Sequence, residues 1–483
     1  MNRTGVFLAL TAVLAAASCA PVRPPEPFGA VPTPAQVAWQ RQELLMFYHF
    51  GQATFSHWDG ENPNCNGRSW SEALLLENYA PDNLDVDQWV RVAAENGFRE
   101  VILTTKHHDG FCLWDNPESR CDVASARNTT DVVQAVRDAC NRYGLNLGLY
   151  LSPWDRTIEA AGLDLDTYEA MYKRSITDLM TRYAPVVEFW IDGNHSSAFH
   201  WPDIHKTVLD VNPDCLIFSD AGPGCRWVGN ERGVAGETNW NTLDIRGRNI
   251  GPGRAPGDYQ TYLAQGDLGA ADWIPAECDF SIQEIGDPDG WFYDATDRRK
   301  TPEELLQIYY TSVGRGSVFL MNVPPSPEGI LAPEDVAAIE GFTALRHSIF
   351  DHDLADGAAV KASAVRGRGY EAARLVDGNY DSYYAAPDGV KEVTLDVLLN
   401  GMKTFNLVQL QEYIPLGQRV CGFRIEVREN GSWKAWGQGT TVGHKRIVKG
   451  RAVTADALRI QVEALACPAL NGLGLYLDSV NYE

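Results

Sequence analysis

Between residues 45 and 322 the chain alternates short apolar runs with amphipathic stretches, and this rhythm limits the folds open to it. Met46 to Phe50 reads as a first strand. Asp85 is placed to cap a helix whose apolar positions Val86, Trp89, Val90, Ala93 and Ala94 follow the helical period, and Asn96-Gly97 ends it. Phe98 to Thr105 supplies the next strand. The cycle returns with a helix from about Asp131 to Tyr143, stopped by Gly144, and the strand Leu145 to Leu151. A helix from Thr167 to Tyr183 precedes the strand Val187 to Ile191, and one near Ile204 to Val211 precedes Cys215 to Phe218. Thr301-Pro302-Glu303-Glu304 opens another helix before the strand Ser317 to Asn322. Repeated βα units imply a parallel sheet, and this many favour a closed (β/α)8-like barrel. Residues 221–300 break the rhythm with Gly, Pro, Asp and Trp. They are expected to form loops walling one end of the barrel, leaving one or two helices irregular or missing.

A helix from Pro333 to Phe350 ends this α/β region, which spans 39–352. Beyond it the pattern becomes all-β: Val393, Leu395 and Val397 alternate with polar residues, and Phe405–Leu410, Phe423–Val427 and Leu458–Val462 behave alike. Residues 353–483 are therefore expected to form a C-terminal β-sandwich, acting either as a carbohydrate-binding module or as a buttress on the barrel.

The N-terminus reads as a targeting segment. Arg3 gives a positive start, Val6 to Ala17 an apolar run too short to span a bilayer comfortably, and small residues follow. Leu14-Ala15-Ala16-Ala17-Ser18-Cys19 resembles a bacterial lipobox. The expectation is a signal peptide at 1–18, lipidation of Cys19 and a proline-rich tether at 19–38. That implies an exported lipoprotein of a bacterium, periplasmic or at the outer membrane or cell surface, touching the membrane only through its anchor. The nine later cysteines contain no CxxC pair, which disfavours a zinc ribbon or a thioredoxin-like site. Cys112 and Cys121 are close enough to suggest a disulfide. A formal charge of −23 argues against nucleic acid and against anionic lipid as partners of the protein surface.

The chemistry concentrates in two places. Val187-Glu188-Phe189-Trp190-Ile191-Asp192-Gly193 is a buried-strand pattern ending in a carboxylate. The C-terminal end of a barrel strand opens onto the mouth, where such a group reads as catalytic. Period-two geometry puts Glu188, Trp190 and Asp192 on one face, with an aromatic platform beneath Asp192. That pairing suits a sugar. The second place is Thr104-Thr105-Lys106-His107-His108-Asp109-Gly110-Phe111-Cys112-Leu113-Trp114-Asp115. Adjacent histidines can bind metal or substrate hydroxyls, and without an accompanying ligand spacing the hydroxyl role is favoured.

His49-Phe50-Gly51, Lys106-His107-His108-Asp109-Gly110-Phe111 with Leu113-Trp114-Asp115, Phe189-Trp190-Ile191-Asp192-Gly193 and Phe319-Leu320-Met321-Asn322-Val323 occur in this order on the barrel pattern. Together they resemble the α-L-fucosidases of glycoside hydrolase family 29, from about residue 40 to the C-terminus. The resemblance implies a retaining exo-hydrolase of fucosylated oligosaccharides or glycoconjugates, with Asp192 as nucleophile and no metal or cofactor. A second carboxyl about 5 Å away would protonate the leaving oxygen and later activate water. Glu231, Glu237 and Glu277 compete for that role. Residues 226–240 resemble the subgroup preferring α-1,3/1,4 linkages on Lewis-type glycans, in which the glutamate ahead of Thr238-Asn239-Trp240 looks like the acid/base. Glu237 is therefore preferred and Glu277 is next. His49, His107, His108, Tyr150 and Arg226 would contact sugar hydroxyls, and Glu61 is a further partner. Trp58, Trp114, Trp190 and Trp291 would form aromatic walls. The other readings are a broad-specificity fucosidase, a non-catalytic surface glycan-binding protein, and a metal-dependent hydrolase built on His107 and His108.

Overall fold

In the computed structural model eight parallel strands close into a barrel. They are β1 (Leu44–Tyr48), β2 (Glu100–Lys106), β3 (Asn146–Leu151), β4 (Glu188–Trp190), β5 (Leu216–Ser219), β6 (Cys225–Trp227), β7 (Ala276–Ser281) and β8 (Val318–Asn322). Each pairs with its neighbours in sequence, and β1 closes the ring on β8 through Leu44↔Phe319 and Leu45↔Leu320. The structure describes residues 22–56, 64–65, 68–69, 71–192, 199–219, 222–244, 258–284 and 290–480.

Helices α1 (Pro34–Gln42), α2 (Val86–Glu95), α3 (Val132–Tyr143), α4 (Leu165–Arg182), α5 (Trp201–Val211), α6 (Tyr259–Gln265), α7 (Pro302–Thr311) and α8 (Pro333–Phe350) start largely where their capping residues lie. Asp85 accepts from Gln88 N–H and Asp131 from Gln134 N–H, while Thr301 and Glu304 form a reciprocal capping box. Gly144 ends α3 in the left-handed conformation that favours glycine.

Two barrel strands lie inside the region that reads as irregular. β6 is only Cys225-Arg226-Trp227, and β7 carries Glu277 and Asp279 on the face turned into the barrel, so neither shows an apolar run. Only five residues, 220–224, separate β5 from β6, and the described ones, 222–224, form no helix. A Cβ on Gly224 would lie 2.4 Å from the Ile217 nitrogen, so only glycine lets the two strands approach this way.

The barrel interior is filled by Leu45, Phe47, Ile102, Tyr150, Trp190, Leu216, Phe218, Val318 and Leu320. Trp39 of α1 plugs its N-terminal end and donates from Nε1 to Glu188 Oε2 at 2.7 Å. Glu100, Glu188 and Glu277 all sit in this floor, fully buried. Burial raises all three: Glu277 is pushed up to about 7, Glu100 to about 8, and Glu188, which also feels the charges of Glu277 and Glu100, well above the usual carboxylate range. A carboxyl whose folded pKa is raised binds more protons when folded, so its stabilisation is complete below pH 4.5 and is lost as pH rises through the folded value. Stability is therefore expected to fall between about pH 5 and pH 8. Glu188→Gln keeps an acceptor for Trp39 and removes one titrating group, so melting curves of this variant should decline less steeply across that window. A parallel decline would refute the assignment.

The C-terminal domain is antiparallel: β9 (Ala359–Ala362), β10 (Tyr384–Ala385), β11 (Glu392–Glu412), β12 (Val420–Glu429), β13 (Ser432–Gly439), β14 (Arg446–Ala464) and β15 (Ala469–Tyr476). Val393, Leu395 and Val397 face Val462, Ile460 and Leu458 across the β11–β14 register, which explains the alternation. Register shifts bend the 21-residue β11, whose first half pairs with β9 and second half with β15, giving the layers of a β-sandwich.

Residues 22–30 do not extend away as a tether. Arg366 holds the carbonyls of Arg23 and Pro24, Arg419 holds that of Glu26, and Phe28 N–H donates to Leu416, so this stretch is strapped to the sandwich. The signal segment and Cys19 lie outside the described residues. Among the described residues no helix is long and apolar enough to cross a membrane. Cys112 and Cys121 are buried neighbours, Cys112 N–H donating to Cys121 O at 2.9 Å, but both are free thiols rather than the disulfide their spacing suggests.

Candidate active site

Asp192 emerges two residues past β4, at the C-terminal mouth, with its side chain 31% exposed. Tyr150 of β3 donates its hydroxyl to Asp192 Oδ2 at 2.6 Å. His108 approaches the same oxygen with Nε2 at 3.5 Å, while its Nδ1 lies 2.7 Å from Ser152 Oγ. Tyr150 and Ser152 share one face of β3 and its continuation because strand side chains repeat every second residue.

The other imidazoles complete the ring. His107 packs 4.0 Å from His108 and parallel to Tyr150 at 5.7 Å, by ring centroids. His49, just past β1, places Nδ1 2.9 Å from Asn322 Oδ1. The Asn322 amide nitrogen donates to Trp291 O, which orients its oxygen as the acceptor. His49 Nδ1 therefore carries the proton and Nε2 offers a lone pair. Burial, followed by the neighbouring His107, pushes the His49 pKa well below its ordinary value, so it is a neutral acceptor at physiological pH. Trp291 lies 5.1 Å from His49, and Phe292 packs edge-on against both His49 and His107.

Trp190 lies beneath Asp192 as the alternation requires, but it is not a sugar wall. Its faces are taken by Phe218 at 3.8 Å and Tyr150 at 5.5 Å, and Nε1 donates to Glu277 Oε1 at 2.8 Å. It supports the pocket floor. Trp114 is buried between barrel and helices and donates to Asp178 of α4, since its loop folds outward over that layer. Arg226 is buried as well: it holds the carbonyls of Leu263, Ile274 and Trp240 and the Asn239 side chain, so it ties the irregular segment together rather than reaching a ligand. Desolvation lowers its pKa to about 10. Trp58 and Glu61 lie outside the described residues.

The three competing glutamates separate in space. Glu237 is 70% exposed at the boundary with the sandwich, where it pairs with Arg315 and, at 2.8 Å, with Arg446. Glu277 is sealed in the barrel floor under Trp190. Glu231 follows β6 and accepts from Trp291 Nε1 at 3.3 Å, beside the ring that packs on His49. Its charge also reaches Asp279, whose carboxyl is raised well above the usual range by burial first and by Glu231 next. Ser152 and Phe292 are site residues that motif reading did not single out, and Asn322, quoted within the Phe319–Val323 motif, was given no role there; only the two-residue spacing from Tyr150 could have flagged Ser152.

A carboxylate at a barrel mouth, held by a tyrosine hydroxyl and ringed by imidazoles and aromatic rings, with a second carboxylate on a neighbouring loop, is the arrangement of barrel glycoside hydrolases. The α-L-fucosidase family matches residues 31–344, and an F5/8 type C domain matches 359–471. The chain belongs to the α-L-fucosidase family of glycoside hydrolases. It is 35% identical to α-L-fucosidase 1 of Arabidopsis thaliana, over 94% of this chain and 89% of that protein. It is 37% identical to a putative α-L-fucosidase 1 of Oryza sativa subsp. japonica, over 96% and 88%. A putative α-L-fucosidase from Bacteroides thetaiotaomicron superposes with a TM-score of 0.85 at 32% identity, covering 94% of this chain and 99% of that one. A Ruminococcus gnavus GH29 fucosidase in complex with fucose superposes with a TM-score of 0.84 at 27% identity, covering 94% and 96%.

Proposed function

We propose that this α-L-fucosidase removes terminal α-1,3/1,4-linked L-fucose from branched, Lewis-type glycans with retention of configuration, using Asp192 as nucleophile and Glu231 as acid/base. The observation that carries the reading is that Asp192 and Glu231 frame one ring of side chains at the barrel mouth, while Glu237 and Glu277 are committed elsewhere. Tyr150 and His108 both address Oδ2 of Asp192, and attack on the anomeric carbon is assigned to Oδ1. Glu231 donates its proton to the departing glycan oxygen as the fucosyl–Asp192 ester forms, then takes a proton from the water that breaks that ester. His49 accepts from a ring hydroxyl through Nε2, and Phe292 with Trp291 offers the apolar patch that the C6 methyl group needs. The linkage assignment rests on the likeness of residues 226–240 to the α-1,3/1,4 subgroup.

The test is a panel of α-1,2-, α-1,3-, α-1,4- and α-1,6-fucosylated oligosaccharides, with the anomer of the first fucose released read by NMR. Release confined to the α-1,3 and α-1,4 members, as the α-anomer, is expected. Comparable release from all four would make the enzyme broadly specific, and initial β-fucose would exclude retention. Tyr150→Phe removes one hydrogen bond to a charged group, worth about 1.5–3 kcal/mol, so kcat/KM should fall roughly 10- to 100-fold with the fold unchanged. An unchanged rate would show that the hydroxyl does not hold the nucleophile. Glu237→Gln should leave fucoside turnover near the parent value while lowering the melting temperature, since it removes the charge that faces the buried Arg446. A large loss of turnover would return the acid/base role to Glu237.

A further inference from the structure

We propose that His107, His108 and Asp192 form a divalent-cation site, and that a transition metal such as Zn2+, Co2+ or Cu2+ inhibits the enzyme by occupying it in place of the sugar. The inhibition rests on the reading of Asp192 as nucleophile; the binding does not. Each of the three residues offers one ligand atom, and these atoms lie within 4.8 Å of one another. Tetrahedral zinc bonds of about 2.0–2.1 Å need ligand atoms about 3.4 Å apart. His108 Nε2 and Asp192 Oδ2 are separated by 3.5 Å, so a cation can seat between them without backbone movement.

Both groups are already oriented as metal ligands are. Ser152 Oγ, 2.7 Å from His108 Nδ1, can accept that nitrogen's proton and so turn the Nε2 lone pair towards Asp192. Tyr150 fixes the carboxylate. Two imidazoles and one carboxylate suit zinc, cobalt, nickel or copper rather than magnesium or calcium. The cluster can also be entered, because His108 is 14% and Asp192 31% exposed. The barrel-floor group of Glu188, Cys225 and Glu277 differs in being sealed from solvent, so an ion cannot reach it from the mouth. A cation on the first cluster ties up the carboxylate that must attack and fills the space of the sugar ring. It acts as a competitive inhibitor, not as a cofactor.

Chelator-treated enzyme titrated with Co2+ tests this through the visible d–d bands of the bound ion. One equivalent should produce the bands, and L-fucose should remove them. His108→Ala should abolish them, and Asp192→Asn, which keeps the side-chain shape, should weaken binding at least about tenfold. Ser152→Ala should weaken it by roughly tenfold. His347→Ala, which breaks an exposed His–Asp pair on α8, should change nothing. Bands that persist in both His108→Ala and Asp192→Asn, or bands that never form, would overturn the site. Bands that follow the variants but ignore fucose would uphold the metal site and count instead against the sugar-binding reading, so the two can fail separately.

Discussion

Asp192→Ala is expected to lower turnover of fucosides by roughly 10,000-fold while leaving circular dichroism and melting temperature near those of the parent. The size follows from its position. Asp192 stands past the end of β4 with its side chain partly in solvent, so truncation opens no core cavity, yet it removes the atom that would form the covalent intermediate. Azide makes the assignment decisive. In the alanine variant a small anion can enter the vacated space and attack from the nucleophile's side in one displacement, giving β-L-fucosyl azide. An active variant, or the α-azide as product, would remove Asp192 from the nucleophile role.

Glu231→Ala should produce the complementary pattern. Loss of a general acid costs typically 100- to 10,000-fold for a natural glycan, whose leaving oxygen needs a proton. It costs much less for an aryl fucoside with a good leaving group, on which the fucosyl–enzyme should form and accumulate. Azide then attacks that intermediate from the side of the missing glutamate and yields α-L-fucosyl azide. The opposite anomers from the two variants would show that Asp192 and Glu231 address opposite faces of the sugar. Equal losses on both substrates without azide rescue would exclude Glu231.

The barrel was legible wherever a strand is apolar on both faces. Leu147–Leu151 lies between helices and a filled interior, so every residue but Asn146 is buried, and the run stands out in the chain. β6 and β7 escaped because the barrel there packs acids against indoles: Glu277 against Trp190 and Asp279 against Trp227. Those side chains look solvent-exposed to any pattern of hydrophobicity, and only the closure of the ring reveals them as interior. Trp114 misled for the opposite reason. It shares a motif with His107 and His108, but its loop carries it to the outer layer against α4.

The acid/base assignment shows the same divide. Residues 226–240 bring Glu231 and Glu237 within one short stretch, and spacing alone ranks neither. Folding sends the chain past Arg315 and Arg446, which take Glu237, and turns Glu231 towards Trp291. What the sequence by itself determined was local: the caps of α2, α3 and α7, six strands, the alternation of the sandwich, and a carboxylate at the end of β4 above an aromatic residue. Those depend on neighbours within a few residues, where backbone period and capping chemistry act. The tertiary structure alone decided which carboxyls are buried, which are paired and which meet at the mouth, because burial and charge pairing are set by groups tens to hundreds of residues away.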